Sequence, residues 1–255
     1  MARKSPLATR LAEVRERIDR ACAKAKRDPA EVTLIAVTKT AAPEQIREIL
    51  QLGVSDVGES RVQVLAQRAI QVNEFHQRQL ARSEAEVPAK LRWHMIGHLQ
   101  RNKVKQILPI VSLIHSIDSL RLAEELELQA AKANRRLPVL MQVNASEESR
   151  KHGVAVGAAV HLAEQIDSMP HLHIMGLMSM APFVEDNKVI RHCFTRTREI
   201  FEELKWHKIG GTSMKHMSMG MSHDFEIAIE EGATMVRVGT AIFGGKVQDH
   251  QDDEE

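Results

Sequence analysis

Tyrosine is absent from the 255 residues, and aromatic residues make up only 3% of them. No phenol is on hand as an acid or base. Cysteine occurs twice, at Cys22 and Cys193, which leaves no disulfide framework or zinc knuckle and points to a reducing compartment. Charge of one sign is also missing. Against 35 Lys and Arg stand 34 Asp and Glu, a formal net charge of +1. A general nucleic-acid binder needs a basic face to neutralise phosphates, so that class is set aside, while a local phosphate pocket is not. No stretch approaches the ~20 apolar residues of a membrane span. The opening "MARKSPLATRLAEVRERIDRACAKAKRD" has no apolar run of signal-peptide length. A soluble cytoplasmic protein is expected, with neither a membrane nor a nucleic acid as partner.

What is present is enough for one large core, with 43% hydrophobic residues arranged in a regular alternation. Leu11, Val14, Ile18, Ala21, Cys22 and Ala25 recur at three- and four-residue steps and predict an amphipathic first helix. After it, "TLIAVTK", "DVGES", "LRWHMIG", "SLIHSID", "LPVLMQVN", "LHIMGLMSM", "HMSMG" and "TMVRVGT" read as strands, each followed by a helix or helical start. Several are continuous apolar runs, as expected of strands buried on both faces. Ser119 is the expected cap of the helix after "SLIHSID". Residues 61–86 read as helical and then polar, and 68–90, with Pro88, as a loop or frayed helix end. Eight βα units in about 250 residues predict a (β/α)8 TIM barrel with an extra N-terminal helix. A doubly wound open sheet is the alternative, but no Gly-rich dinucleotide fingerprint follows the first strand. One barrel domain over 1–246 is expected, with an acidic, disordered tail over 247–255.

In a barrel the C-terminal strand ends build the active site. Here they carry Lys39, Glu59 with Ser60, His94 with Gly97, His115 with Asp118, Asn144, Met178 with Ser179, Ser218 with Gly220, and Arg237 with Gly239 and Thr240. Among these only lysine is a plausible covalent nucleophile toward a carbonyl. Lys39 has two readings, a carbonyl-reactive amine or a structural ion pair with Glu59. "HMSMGMSHD" places Ser218, Gly220 and Ser222 around a strand-to-helix turn, and "VRVGTAIFGG" repeats the device with Gly239 and Thr240. Such turns bring backbone N–H groups and a helix start toward an anion, and the loops after barrel strands seven and eight are the usual phosphate site. Arg237, between Val236 and Val238, needs a partner inside. A ring nitrogen or an acid would serve, as would Glu226 or Glu230. The pair of histidines in "HLH" at 171–173 lacks a supporting ligand, so no metal site is expected. The twelve methionines read as core filler.

A phosphate, a carbonyl-reactive lysine and an arginine near a ring nitrogen together describe pyridoxal 5′-phosphate. The segments "IAVTKTAAPEQI", "VGESRVQ", "WHMIGHLQRNKV", "HSIDS", "QVN", "GLMSM", "SMGMSHDFEIAI" and "VRVGTAIFG" resemble the pyridoxal phosphate homeostasis protein family, also called proline synthetase co-transcribed proteins, over nearly the whole chain. That family is similar to the N-terminal barrel of alanine racemase, a fold-type III barrel. The resemblance implies a Schiff base on Lys39, phosphate contacts from Ser218, Gly220, Gly239 and Thr240, and Arg237 at the pyridine nitrogen. It also implies Ser60 and His94 in the cofactor site. The family usually reads Gly-Glu-Asn-Tyr after the second strand, where this chain has Ser60 and Arg61. The implied function is a monomeric carrier of pyridoxal phosphate that acts in its homeostasis without robust catalysis. Free amino acids and apo-enzymes that need the cofactor are its expected partners. An amino-acid racemase or decarboxylase is the alternative. Alanine racemase sets a tyrosine opposite its lysine, and this sequence has none.

Overall fold

The computed structural model describes residues 5–81, 87–88, 90–148 and 150–245. Helix α1 (Pro6–Lys24) starts at Ser5, whose side chain accepts from the Ala8 N–H, with Pro6 at its first position. This agrees with the preference for an oxygen-bearing cap and a proline just inside. Leu11, Val14, Ile18, Ala21 and Cys22 form its buried stripe as the spacing predicts; Leu7 extends it, while Ala25 lies at the C-cap and is only partly buried. The alternation follows as β1 (Thr33–Val37), α2 (Pro43–Gln51), β2 (Asp56–Glu59), α3 (Val62–Ala81), β3 (Arg92–Met95), α4 (Val104–Ile107), β4 (Val111–Ile117), α5 (Leu120–Lys132) and β5 (Leu137–Asn144). The second half holds β6 (Val154–Ala155), α6 (Ala159–Asp167), β7 (Leu172–Met178), α7 (Asn187–Trp206), β8 (His216–Ser218), α8 (Phe225–Glu230), β9 (Met235–Val238) and α9 (Thr240–Phe243).

All the strand pairings are parallel. The order is β4-β3-β2-β1-β9-β8-β7-β5, and β4 pairs with β5, so the sheet closes into an eight-stranded barrel with helices outside. The eight expected strands are its eight staves. The two-residue β6 is an addition that pairs outside the barrel with β5. Closure rules out the open-sheet alternative. Helix α1 packs against α8 and α9 on the outer surface.

Two separate apolar clusters result. The larger fills the space between sheet and helices. The smaller lies inside the barrel, with Ile35, Leu113, Leu140, Met178 and Met235 buried and Met175 and Met180 packed against them. Four of its seven members are methionines, which suits an irregular space partly occupied by polar groups.

Local expectations changed in two places. The helix expected over 61–86 is α3, which runs to Ala81 through much of the segment also read as loop or frayed helix end, because Ala69, Val72 and His76 continue the buried face begun by Val62 and Leu65. Ser119 does occupy the cap position of α5, but its side chain makes no capping hydrogen bond. The expected tail over 247–255 lies outside the described residues.

Candidate functional site

The turn after β1 carries Lys39. Its flanks are fixed by backbone bonds, from the Thr38 N–H to the Gly58 carbonyl at 2.9 Å and from the Ala41 N–H to the Thr38 carbonyl at 2.9 Å. Beneath it lies a buried ion pair in which Arg68 NH1 meets Glu59 Oε2 at 2.7 Å. The same guanidinium donates to the Thr38 carbonyl and, at 3.1 Å, to the Ala41 carbonyl. Glu59 also accepts from the Thr38 hydroxyl at 3.1 Å and from the Ser60 N–H at 2.8 Å. Glu59 is therefore committed to Arg68 and the backbone, not to Lys39. Among the described residues, the Lys39 ammonium has no hydrogen-bond or ion-pair partner and is half-buried at the strand end.

Register brings the turn after β9 alongside. Ala36 pairs with Val238, so Gly239 lies beside Val37, and a Cβ on Gly239 would stand 3.2 Å from the Val37 carbonyl oxygen. The turns after β8 and β9 are tied to each other. The Arg237 N–H donates to the Gly220 carbonyl at 2.9 Å. The Ala241 N–H donates to Ser222 Oγ at 3.3 Å. Gly220 has φ +95°, and a side chain there would meet Ala228 Cβ at 2.6 Å and Phe225 Cα at 2.8 Å, so only glycine fits. Lys39, Gly220, Ser222, Gly239 and Thr240 thus gather on one side of the C-terminal mouth.

Arg237 comes up from inside the barrel. Neither Glu226 nor Glu230 is its partner, since Glu226 pairs with Arg17 and Glu230 with Lys24 and Arg191. It donates instead from NH1 to Ser218 Oγ at 2.7 Å and from NH2 to the Ser179 carbonyl at 2.9 Å. Burial lowers its pKa to about 10, opposed by the charge of Asp224, so it stays protonated at neutral pH. Asp224 is buried beside the β8 turn. Its Oδ1 accepts from the Met221 N–H, while Oδ2 has no hydrogen-bond partner. Desolvation raises its pKa, against the pull of that hydrogen bond and of His223 and Arg237.

Ser218 and His94, like Arg237, lie inside the barrel rather than in the turns at its mouth. Ser218 is fully buried, its hydroxyl bonded to Arg237 and, at 2.9 Å, to His115 Nδ1. His115 Nε2 meets His94 Nδ1 at 2.9 Å, and His94 Nε2 meets Asp56 Oδ1 at 2.9 Å. Arg92 closes the series on Asp56 at 2.6 Å. A continuous polar chain therefore crosses the interior from Arg237 on β9 to Arg92 at the start of β3. Burial pushes the His115 pKa well below the ordinary imidazole value, and His94, Arg237 and His216 push it further. Desolvation works to raise the Asp56 pKa. Hydrogen bonds from His94, Arg92 and Ser55 outweigh it and hold the carboxyl well below the usual range. Ser60 stays at the mouth, with Gly97 so close that an added Cβ would lie 2.3 Å from the Ser60 carbonyl oxygen. Arg61 is exposed. The "HLH" histidines go to different uses, with His171 Nδ1 bonded to Glu127 at 2.7 Å.

Sequence reading missed Arg68, Asp56 and a cluster on the far side of the mouth formed by His98, Asp118 and His152. For Arg68 a signal existed in the spacing, since it lies nine residues after Glu59 on the inner face of α3. Asp118 is among the strand-end residues and His98 lies within "WHMIGHLQRNKV", but no spacing links either to His152, and none marks Asp56.

A family model described as alanine racemase, N-terminal domain, matches residues 5–247. The pyridoxal phosphate homeostasis protein of Aquifex aeolicus is 41% identical over 92% of this chain and 96% of its own length. That of Escherichia coli K12 is 34% identical over 94% and 97%. Among solved structures, PipY of Synechococcus elongatus PCC7942 with PLP bound is similar at TM-score 0.74 and 31% identity, over 93% of this chain and 100% of that one. An alanine racemase of Clostridium difficile 630 shares the fold at TM-score 0.66 and 11% identity, with 57% of that chain covered. The chain belongs to the pyridoxal phosphate homeostasis protein family, on the barrel of the alanine racemase N-terminal domain.

Proposed function

We propose that this protein holds pyridoxal 5′-phosphate on Lys39 and takes part in its intracellular homeostasis, without robust turnover of its own. The observation that carries the reading is the partnerless Lys39 ammonium, set in a turn clamped by Arg68 while the obvious carboxylate, Glu59, is occupied. The names of the relatives and the PLP-bound PipY structure support it. When bound, the cofactor supplies an aldehyde that condenses with an amine and a ring that withdraws electrons.

The residues present suit that group. Lys39 offers the amine. Gly220 and Gly239 let their turns pack close against α8 and β1, and those turns would offer backbone N–H groups to a phosphate, with the Ser222 and Thr240 hydroxyls beside them. Arg237 would hold the ring nitrogen as a cation that does not readily give up its proton, which would keep the ring a weak electron sink. Ser218 acts through Arg237, which it orients together with Ser179 and His115. Ser60 stands where the family carries asparagine, and Arg61 adds a positive charge near the mouth. Amino acids that reach Lys39 and apo-enzymes that take up the cofactor are the proposed partners, and the protein acts as a cytoplasmic monomer. A racemase would need a second base opposite Lys39, and the 255 residues contain no tyrosine to fill that place.

The test is borohydride reduction of the purified protein loaded with pyridoxal phosphate, followed by peptide mapping. The pyridoxyl mass should appear on Lys39 and vanish in Lys39→Ala. Label on Lys103 or Lys215 would overturn the assignment. Thr240→Ala and Ser222→Ala should each weaken retention of pyridoxal phosphate by ~1.5–3 kcal/mol, the worth of a hydrogen bond to a charged group. Unphosphorylated pyridoxal should be little affected. In deuterated water with single L-amino acids, multiple-turnover formation of D-isomer that depends on Lys39 would establish an enzyme instead.

A further inference from the structure

The far side of the mouth is built differently. His98 follows β3, Asp118 follows β4, and His152 lies in the loop between β5 and β6. One ligand atom from each lies within 4.8 Å of the others. His98 Nδ1 is 3.3 Å from Asp118 Oδ2, and His152 Nδ1 is 3.9 Å from the same oxygen. The two imidazoles stack at 4.2 Å between centroids, 15° from parallel.

The geometry points to a divalent transition-metal site, of zinc type, formed by His98, Asp118 and His152 and distinct from the proposed cofactor residues. Two imidazoles and one carboxylate are the borderline nitrogen and oxygen donors that favour zinc, nickel, cobalt or copper over magnesium or calcium. Metal–ligand bonds of ~2.0–2.1 Å put tetrahedral ligand atoms ~3.4 Å apart. The His98–Asp118 separation of 3.3 Å already has that value, and the 3.9 Å from His152 to Asp118 needs a contraction of about half an ångström. Both imidazoles are exposed and free to make that adjustment by side-chain rotation.

The backbones beneath them are fixed. Gly97, next to His98, sits against the Ser60 backbone so closely that no side chain fits. The His152 carbonyl accepts from the buried Gln142 amide at 3.1 Å. Gly153, at φ +125°, lies against the Asn144 amide, where a Cβ would come within 2.7 Å. Three loops that share no sequence motif are thus held so that their donor atoms converge. Three protein ligands leave a fourth position open to water or to a small anion, as in sites that bind exogenous ligands.

The experiment uses the full-length, tag-free protein and titrates Zn²⁺ against a chromophoric chelator, with and without pyridoxal phosphate, because that cofactor itself binds metals. One Zn²⁺ per chain is expected in both conditions. Loss of even an outer partner of a metal site typically lowers affinity 10–100-fold, so His98→Ala, His152→Ala and Asp118→Asn should each lower it ~100-fold or more. His171→Ala and His207→Ala should change nothing. Co²⁺ should give the intense visible bands of a tetrahedral site in the wild type and lose them in His98→Ala. All three ligand variants alter side chains outside the core, and circular dichroism confirms their folding. Binding that needs pyridoxal phosphate, or that survives all three substitutions, would overturn the site. So would a wild-type affinity no higher than that of His98→Ala, which would leave the cluster as hydrogen bonds between imidazoles and a carboxylate.

Discussion

The two halves of the barrel mouth are held by different means. Around β1, β2, β8 and β9 the side chains that fix the turns are buried. Glu59 is sealed beneath the Lys39 turn with Arg68, and Ser218 and Ser179 hold Arg237 from below. Around β3, β4 and β5 the buried Gln142 holds the His152 carbonyl, but the charged side chains of the loops face solvent. Lys151, for example, meets Glu148 at 3.1 Å and the Ala181 carbonyl at 3.2 Å near the surface. The first half presents one amine on a turn held by backbone bonds and Arg68, and one guanidinium held by Ser218 and Ser179. The second presents imidazoles whose backbones are fixed and whose rings can move. A buried polar network confers rigidity only when every member is satisfied. The first half is the one suited to a covalently held group, and the second to a ligand that gathers its donors on arrival.

The contrast is most easily broken at its two ion pairs. Arg68→Met leaves the buried Glu59 carboxylate without its cation. It should destabilise the fold by ~3–5 kcal/mol, the usual cost of orphaning one member of a buried pair. Lys151→Met, on the solvent side, should cost under ~1 kcal/mol. Urea unfolding of both variants measures the difference. Equal losses would show that the two halves are held alike. Arg68→Met should also reduce retention of pyridoxal phosphate, because the carbonyls of Thr38 and Ala41 lose their shared donor.

A second pair of substitutions sharpens the same contrast through backbone conformation. Gly220→Ala puts a side chain at φ +95° and drives it into Ala228 and Phe225. Left-handed strain and overpacking together suggest a loss of ~2–4 kcal/mol. For a chain of this size that is a fall of roughly 5–12 °C in Tm. Gly157 lies in the exposed approach to α6, where an added Cβ would meet nothing within 4 Å. Gly157→Ala should be neutral or slightly stabilising, since alanine restricts the unfolded chain. A Gly220→Ala protein with unchanged Tm would mean that the β8 turn adapts, and that its glycine is not required by packing.

Sequence and structure agree most where the signal is local. The eight staves are legible because each is a short apolar run ended by a turn. Lys39, Gly220, Gly239 and Thr240 are legible because they sit at strand ends within compact motifs. Helix α3 is legible in its pattern over 61–86, but its end is not, because Gln71, Asn73, Glu74 and Gln77 on its outer face make the composition of the window polar and hide the buried Ala69, Val72 and His76. Ser218 was legible as a strand-end residue, but its direction was not. A three-residue strand has too few positions to show which face is inside, and its hydroxyl points to His115 and Arg237. Asp56, His94 and His115 are spread over three strands, at separations of 38 and 21 residues, and only closure of the barrel brings them together. The His98, Asp118 and His152 cluster was invisible for the same reason. Its ligands come from three loops, and no spacing rule links them.

That interior chain joins the two halves, and its titration gives the smallest but most specific prediction. Unfolded, His115 has an ordinary imidazole pKa of about 6.5. Folded, it is fully buried, faces His94, Arg237 and His216, and stays neutral well below that value. Below about pH 6.5 the unfolded chain therefore binds one proton that the folded chain does not. Stability is fully present above that pH and falls on acidification by ~1.4 kcal/mol per pH unit until the folded pKa is reached. His216, whose pKa burial also lowers, adds a parallel contribution, so replacing His115 should reduce the slope without abolishing it. His115→Gln keeps a hydrogen-bonding side chain between Ser218 and His94. Its stability between pH 7 and 5.5, from urea midpoints, should fall less steeply than that of the wild type by up to ~1.4 kcal/mol per unit. Asp56 provides a separate window. Its folded pKa is depressed, so its contribution is present above about pH 4 and lost below it. Asp56→Asn should therefore flatten the acid limb and leave the slope near pH 6 unchanged. If His115→Gln had the wild-type slope near pH 6, His115 would be protonated in the folded chain. The interior would then carry two adjacent cations, His115 and Arg237, and the account of how Arg237 is held would fail.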